Sequence, residues 1–233
     1  MTDEALTTRD RIIRAAATLL AEGGRDAVST RAVSAAAGVQ APTIYRAFGD
    51  MQGLLDEVAG YGFASYLTTK AERPPTDDPV EDLRGGWDLH VGFGVANPAF
   101  YTLMYGEPRA DYSTPAAAMR AQEILHALVG RIAAAGRLLV SVERAAQMIH
   151  SASSGVALSL IATKPEDRDP ELSTRVREAI LAAITTDTAQ PVAEAGTASH
   201  AIALKASLPG ASTGLTAAEQ ALLVQWLDLI AQA

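Results

Sequence analysis

The chain contains no cysteine. Disulfides, thiolate catalysis and cysteine-ligated zinc are thereby excluded. Its four histidines are scattered, so no dedicated metal site is expected, and no cofactor. Aromatic residues make up only 5% of the chain, which is ordinary for a helix-rich globular protein. No apolar run approaches the ~18 residues of a membrane span, so no membrane partner is expected. The N-terminus is charged and polar, without the apolar core of a signal peptide, and the expected location is the cytoplasm. No nucleophile spacing, phosphate-binding loop or metal motif points to an enzyme.

What is present is length and helical periodicity. The 233 residues suffice for one large or two small domains with a sizeable core. Almost every segment has helical spacing, and no alternating strand stands out. A first helix is expected over 8–22, carrying Ile12, Ala16, Leu19 and Leu20, and ended by Gly23 and Gly24. Two short helices follow at 30–36 and 41–48, and a fourth starts near Met51 and fades at Pro74 and Pro75. Asp78-Pro79 is a cap followed by proline at the first helical position. The helix it opens holds four glycines between positions 85 and 94, a composition that favours a bend or leaves room beside it. Asn97-Pro98 is expected to cap a short helix over 98–106, and further helices are expected over 114–135, 141–163, 171–186 and 201–208, with a loose loop over 187–199. Thr216 and Glu219 form a capping box ahead of a final helix with Leu222, Leu223, Trp226, Leu229 and Ile230.

Residues 30–48 are the most informative stretch. A short helix meets a turn at Gly38 and then a second helix, the pattern of a helix-turn-helix. Ser34 is small enough for the helices to cross closely. Gly38 can adopt the positive φ of the turn without steric cost. Val33, Val39 and Ile44 can bury against the preceding helix. A helix held in this way can enter the major groove of DNA. The overall charge of −8 does not oppose this, because residues 1–49 carry a net +1 and the remainder a net −9. Phosphate contact needs only a local basic surface.

The elements R-I-I-R-A-A-A-T-L-L-A-E-G-G from position 11, V-S-T-R-A-V-S-A-A-A-G-V from 28, T-I-Y-R-A-F-G-D from 43 and L-L-D-E-V from 54 resemble the tetracycline-repressor (TetR-like) family of transcriptional regulators. The resemblance implies an all-α chain: an N-terminal three-helix helix-turn-helix DNA-binding domain over 1–50, a connecting helix and linker over 51–75, and a larger helical ligand-binding and dimerisation domain over 76–233. It implies a homodimer, a double-stranded operator as partner, and a small molecule that releases a repressor from DNA. The family often has a lysine three residues after the phenylalanine of the T-x-Y-x-x-F element; here Met51 stands there, which implies weaker phosphate contact.

Within the motif, Gln40, Ala41, Pro42 and Thr43 sit at the entrance of the second helix. Gln40 can make paired hydrogen bonds to adenine, and Thr43 can offer a hydroxyl or touch a thymine methyl. Tyr45 and Arg46 are expected on phosphates, which fix register without reading sequence. Thr30 is expected to cap its helix and donate to phosphate, and Arg31 to reach a base edge or the backbone. Arg9, Arg11 and Arg14 have the spacing of a solvated helix face.

Six of the twelve aromatics fall between positions 87 and 112. Trp87, His90, Phe93, Phe100, Met104 and Tyr105, with His150 further on, are the candidates for an effector pocket. Few charges lie among them, so the effector is expected to be largely apolar. The same residues also suit a plain helical core. For the dimer interface implied by the resemblance, the candidates are Ser151 and Gly155 in a small-residue run, and Leu222, Trp226 and Leu229 on the last helix. The rival reading is a helical small-molecule-binding module or an enzyme that has lost DNA binding.

Overall fold

The computed structural model describes residues 7–72, 74–106, 116–186 and 196–231. Among these the protein is all-α, with eleven α-helices and no strand. They are α1 (Thr8–Ala27), α2 (Thr30–Ala37), α3 (Ala41–Phe48), α4 (Met51–Glu72), α5 (Pro79–Ala96), α6 (Pro98–Tyr105), α7 (Ala116–Ala134), α8 (Val142–Ala162), α9 (Leu172–Ile184), α10 (Thr197–Ser207) and α11 (Ala217–Ala231). The chain divides into two compact units. One comprises Met1–Arg73, Gly92–Ala121 and Ala157–Lys164; the other comprises Pro74–Val91, Gln122–Val156 and Pro165–Ala233.

In the first unit, Thr7 opens α1 with a reciprocal capping box to Asp10, satisfying two otherwise orphaned backbone N–H groups. Gly24, at φ 68°, breaks the helix where two glycines predict its end, but one further turn runs on to Ala27. Gly38 takes the left-handed conformation (φ 64°, ψ 41°), and its N–H bonds back to the carbonyls of Ser34 and Ala35. That turn brings α3 across α2. The core beneath consists of Ile12, Ala16, Leu20, Val33, Ile44, Leu54, Leu55 and Val58, all fully buried. Each large side chain of this kind contributes roughly 1.5–3 kcal/mol relative to exposure. Ala99, Phe100 and Leu103 of α6 pack against the same core. Phe100 lies where a Cβ on Gly62 would be, 2.1 Å from its ring, so α4 and α6 approach closely only because position 62 has no side chain.

In the second unit, polar contacts join the helices. Asp82 of α5 is 6% exposed and accepts hydrogen bonds from Thr76 N (3.0 Å), Thr76 Oγ1 (2.8 Å) and Arg131 of α7. Arg84 forks onto Glu178 of α9 (3.0 Å), and the Trp87 indole donates to Ser173 Oγ (3.0 Å). Arg137 bridges Asp78 (2.8 Å) and the Thr186 carbonyl (3.0 Å). A small separate cluster of Ala201, Leu208 and Leu227 holds α10 against α11. The capping box of Thr216 and Glu219 is formed as the spacing predicts.

Two expectations change and a third is narrowed. The Asp78 cap is made, through Val80 N (2.8 Å), but Asn97 turns its amide back to the Phe93 carbonyl (3.1 Å) and does not cap α6. The glycine-rich α5 is a single helix, and of the two alternatives the room beside it is found, since a Cβ on Gly86 or Gly92 would meet nothing within 4 Å. Residues 197–199, expected in a loop, begin α10; positions 187–195 of that loop, and Thr114, Pro115 and Tyr112, lie outside the described residues.

Two predictions follow from this packing. Gly62→Ala lowers the melting temperature because its methyl meets the Phe100 ring, whereas Gly60→Ala, with open space around its Cβ, raises stability by about 1 kcal/mol through helix propensity; thermal unfolding by circular dichroism compares the two. Burial alone would push the Asp82 carboxyl up, but its bonds to Thr76 and Arg131 hold it below the usual carboxylate range. A carboxyl depressed in the folded state stabilises above its unfolded pKa, and the contribution disappears as pH falls through the folded value. Acid unfolding of the wild type therefore has an Asp82 component below about pH 4 that Asp82→Asn lacks, while that variant is less stable than wild type at pH 7 by roughly 1–3 kcal/mol.

Candidate nucleic-acid interface and effector residues

The helix-turn-helix places the eight candidate DNA-contacting residues on the first turn of α2, at the cap of α3 and along α3 as far as Arg46. Arg31, Gln40, Pro42, Tyr45 and Arg46 are exposed, and Thr30, Ala41 and Thr43 are half-buried. Gln40 occupies the cap position of α3 but makes no capping hydrogen bond with its side chain. Its amide is therefore not committed to the helix terminus. Pro42 lies in the first turn, where its missing N–H removes no intrahelical bond. The first turn of α3 carries no acidic residue, so the positive end of its dipole is uncompensated.

Thr30 is not the cap of α2. Ser29 is: it holds extended backbone (φ −112°, ψ 156°) and its hydroxyl accepts from Ala32 N at 3.2 Å. Thr30 is the first helical residue, and this releases its hydroxyl to pair with the Tyr45 hydroxyl at 3.0 Å. That bond links α2 to α3 across the turn and holds two hydroxyls side by side at the surface. Arg9 lies on the solvated face expected of it, and it also ties elements together. It donates to the Ala47 carbonyl (2.6 Å) and to Glu57 (2.8 Å), and its guanidinium stacks 4.5 Å over the Phe48 ring. The Thr7-to-Asp10 spacing is the signal for the α1 cap; nothing local in the sequence signals Arg9's partners, 38 and 48 positions away. Met51 packs half-buried against the N-terminal core.

The effector candidates fall into both units. In the first, Phe93 meets Phe63 edge-on with ring centroids 5.1 Å apart, and Tyr66 at 5.1 Å. Tyr105 lies 4.8 Å from Tyr101, which is fully buried, and Met104 is buried beside them on α6. Tyr101 belongs to the aromatic group between positions 87 and 112, whereas Phe63 and Tyr66 lie outside it; spacings of four from Ala59 to Phe63, three from Phe63 to Tyr66 and four from Tyr101 to Tyr105 mark the inner stripes of α4 and α6. Burial pushes the hydroxyls of Tyr66 and Tyr105 well above the ordinary phenol range, with the neighbouring tyrosines adding to it. They are neutral donors at any physiological pH. Phe100 belongs to the packing of α6 on Gly62. In the second unit, Trp87 and His90 are buried on α5, the indole already bonded to Ser173. His150 is half-buried on α8, and burial lowers its pKa, favouring the neutral imidazole. Among the dimer candidates, Ser151 and Gly155 are exposed on α8, and Leu222, Trp226 and Leu229 are 43%, 54% and 67% exposed on α11.

Residues 12–58 match the family model for bacterial regulatory proteins, tetR family. The chain carries a TetR-family N-terminal domain. The match spans the helix-turn-helix and the start of α4. Similar solved structures extend the likeness in fold. A TetR-family transcription regulator from Shewanella sp. PV-4 superposes with TM-score 0.61 at 16% identity, over 78% of this chain and 100% of its own. The fatty acid degradation regulator FadR from Bacillus halodurans gives 0.57 at 20%, over 77% and 97%. A TetR variant from Acinetobacter baumannii AYE in complex with minocycline gives 0.54 at 18%, over 72% and 89%. No curated protein matches the chain. The protein has the fold of a TetR-family transcription regulator, and no described helix is long and apolar enough to cross a membrane.

Proposed function

We propose that this TetR-family chain is a ligand-responsive repressor that binds a pseudo-palindromic operator as a homodimer and leaves it when a largely apolar small molecule binds. The observation that carries the reading is the entrance of α3: Gln40 and Pro42 exposed, the Gln40 amide uncommitted, and the Thr30–Tyr45 hydroxyl pair alongside. Gln40 and Thr43 then face base edges, with Ala41 and Pro42 offering apolar contact, while Arg31, Tyr45, Arg46 and the Thr30 hydroxyl grip phosphate. A two-fold dimer sets two such helices about 34–36 Å apart, or a multiple of that. The exposed small residues Ser151 and Gly155 on α8, and the apolar Leu222, Trp226 and Leu229 on α11, are the surfaces for that dimer.

The effector reading draws on apolar and aromatic residues with few charges among them, Met104, Trp87 and His90 buried and the rest half-buried: Phe93, Phe100, Met104 and Tyr105 in the first unit, and Trp87, His90 and His150 in the second. One structural relative, with minocycline bound, is a precedent for small-molecule binding on this fold.

Footprinting on DNA flanking the chain's own gene, at low and near-physiological salt, tests the proposal. The expected result is a protected pseudo-palindrome that persists at the higher salt. Gln40→Ala is expected to cost about 1–3 kcal/mol and to relax preference at one base position, whereas Arg46→Ala weakens all sequences alike and lowers the salt slope by about 1. Protection that neither substitution alters would assign the helix-turn-helix a packing role only.

A further inference from the structure

Beyond the proposed regulation, the second unit contains a cavity that none of the effector candidates lines. It is a half-open pocket among α7, α8, α10 and α11 with a volume of about 190 Å³. Val142, Ile202, Ala206 and Ala231 give it an apolar wall. Gly130 of α7 opens onto it, and a Cβ there would meet nothing within 4 Å. Apolar cavities of roughly 150 Å³ admit benzene, so this one has room for about six to eight non-hydrogen atoms.

The remaining wall is charged and forms the solvent-facing rim, with the Glu143 side chain 61% and Asp228 38% exposed. Lys205 Nζ lies 2.6 Å from Asp228 Oδ1 and 3.1 Å from Glu143 Oε1. One ammonium is thus shared between two carboxylates, which leaves the wall with an excess negative charge. Burial alone would raise the Glu143 carboxyl, but its hydrogen bonds and the Lys205 charge hold it below the usual range. A carboxylate offers about four lone-pair sites, so one bond to Lys205 leaves capacity on each acid. An anion finds no corresponding vacancy. Lys205 is already paired twice, and the N-terminus of α8 is served by the Ser141 hydroxyl, which accepts from Arg144 N at 3.2 Å, and by Glu143 in its first turn.

We propose that this cavity is a binding site for a compact organic cation, a small primary amine with an apolar body. Its ammonium donates to Glu143 and Asp228, and its hydrocarbon part occupies the space beside Gly130 and Ile202.

Calorimetric titration of the full chain with cyclohexylamine, cyclohexanol and cyclohexanecarboxylate, which share one body, tests the assignment. The amine is expected to bind saturably and at least about tenfold more tightly than the alcohol, as a hydrogen bond to a charged group requires, and the carboxylate not to bind. Gly130→Leu fills the space and is expected to abolish amine binding while the circular dichroism melt shows the fold intact; Glu143→Gln weakens it severalfold. Equal affinity for amine and alcohol, preference for the carboxylate, binding that Gly130→Leu leaves unchanged, or no saturable binding at all would each overturn the proposal. None of these outcomes bears on operator binding, which is measured separately.

Discussion

The N-terminal domain depends on one buried side chain. Ile44 is the only fully buried residue of α3, and through it an eight-residue helix is held against Ile12, Leu20, Val33 and the first turns of α4. A helix of that length does not persist in water by itself. Its position is completed by three weaker ties: the left-handed turn at Gly38, the Thr30–Tyr45 hydroxyl bond, and Arg9, which donates to the carbonyl of Ala47 and covers Phe48. They act before its start, in its middle and at its C-terminal end. The entrance of the helix, where Gln40 and Pro42 are exposed, is therefore oriented without using any of those residues for packing.

The second unit is organised differently. Alanines supply much of its buried surface, including Ala133, Ala145 and Ala146, and small side chains leave helices with shallow ridges. Specific register comes from charged groups at element ends. Asp82, nearly inaccessible, accepts from three donor groups, and Arg137 holds both Asp78 and the carbonyl of Thr186. Exposed ion pairs such as Arg175–Glu171 contribute little, because solvent screens them. Asp82 is different: its carboxylate is buried, and removing it would take a partner from Arg131, which would keep the Thr76 carbonyl, and from the Thr76 N–H and hydroxyl.

Periodicity and turn residues made most helices legible, because both are local. Gly38, Asp78-Pro79 and the Thr216–Glu219 box act within four residues of themselves. The cap of α2 was misplaced by one residue because Ser29 and Thr30 are both good caps, and the choice depends on which hydroxyl α3 offers a partner to. Tyr45 decides it from 15 positions away. The same limit applies to Arg9 and to Asp82, whose partners are 48 and 49 positions distant. Closeness in sequence also misled for the aromatics. Trp87 and Phe93 are six residues apart on one helix, yet they pack in separate compact units, Trp87 toward Ser173 and Phe93 toward Phe63.

Charge and packing meet at position 51. The family resemblance puts a lysine there, whose head would reach phosphate; this chain has a methionine, and its side chain joins the N-terminal core instead. Arg9 is likewise withdrawn, bound to Glu57 and Ala47. The exposed cations left in the helix-turn-helix region are few, with Arg11, Arg14, Arg31 and Arg46 among them. Under the proposed function, phosphate neutralisation is correspondingly small, and affinity for arbitrary DNA falls with it, since that affinity is almost wholly electrostatic. Base contacts at the α3 entrance do not shrink in proportion. A thin cationic surface on a well-anchored helix therefore shifts the balance from general DNA affinity toward discrimination, and the acidic remainder of the chain, with its net −9, moves it further the same way.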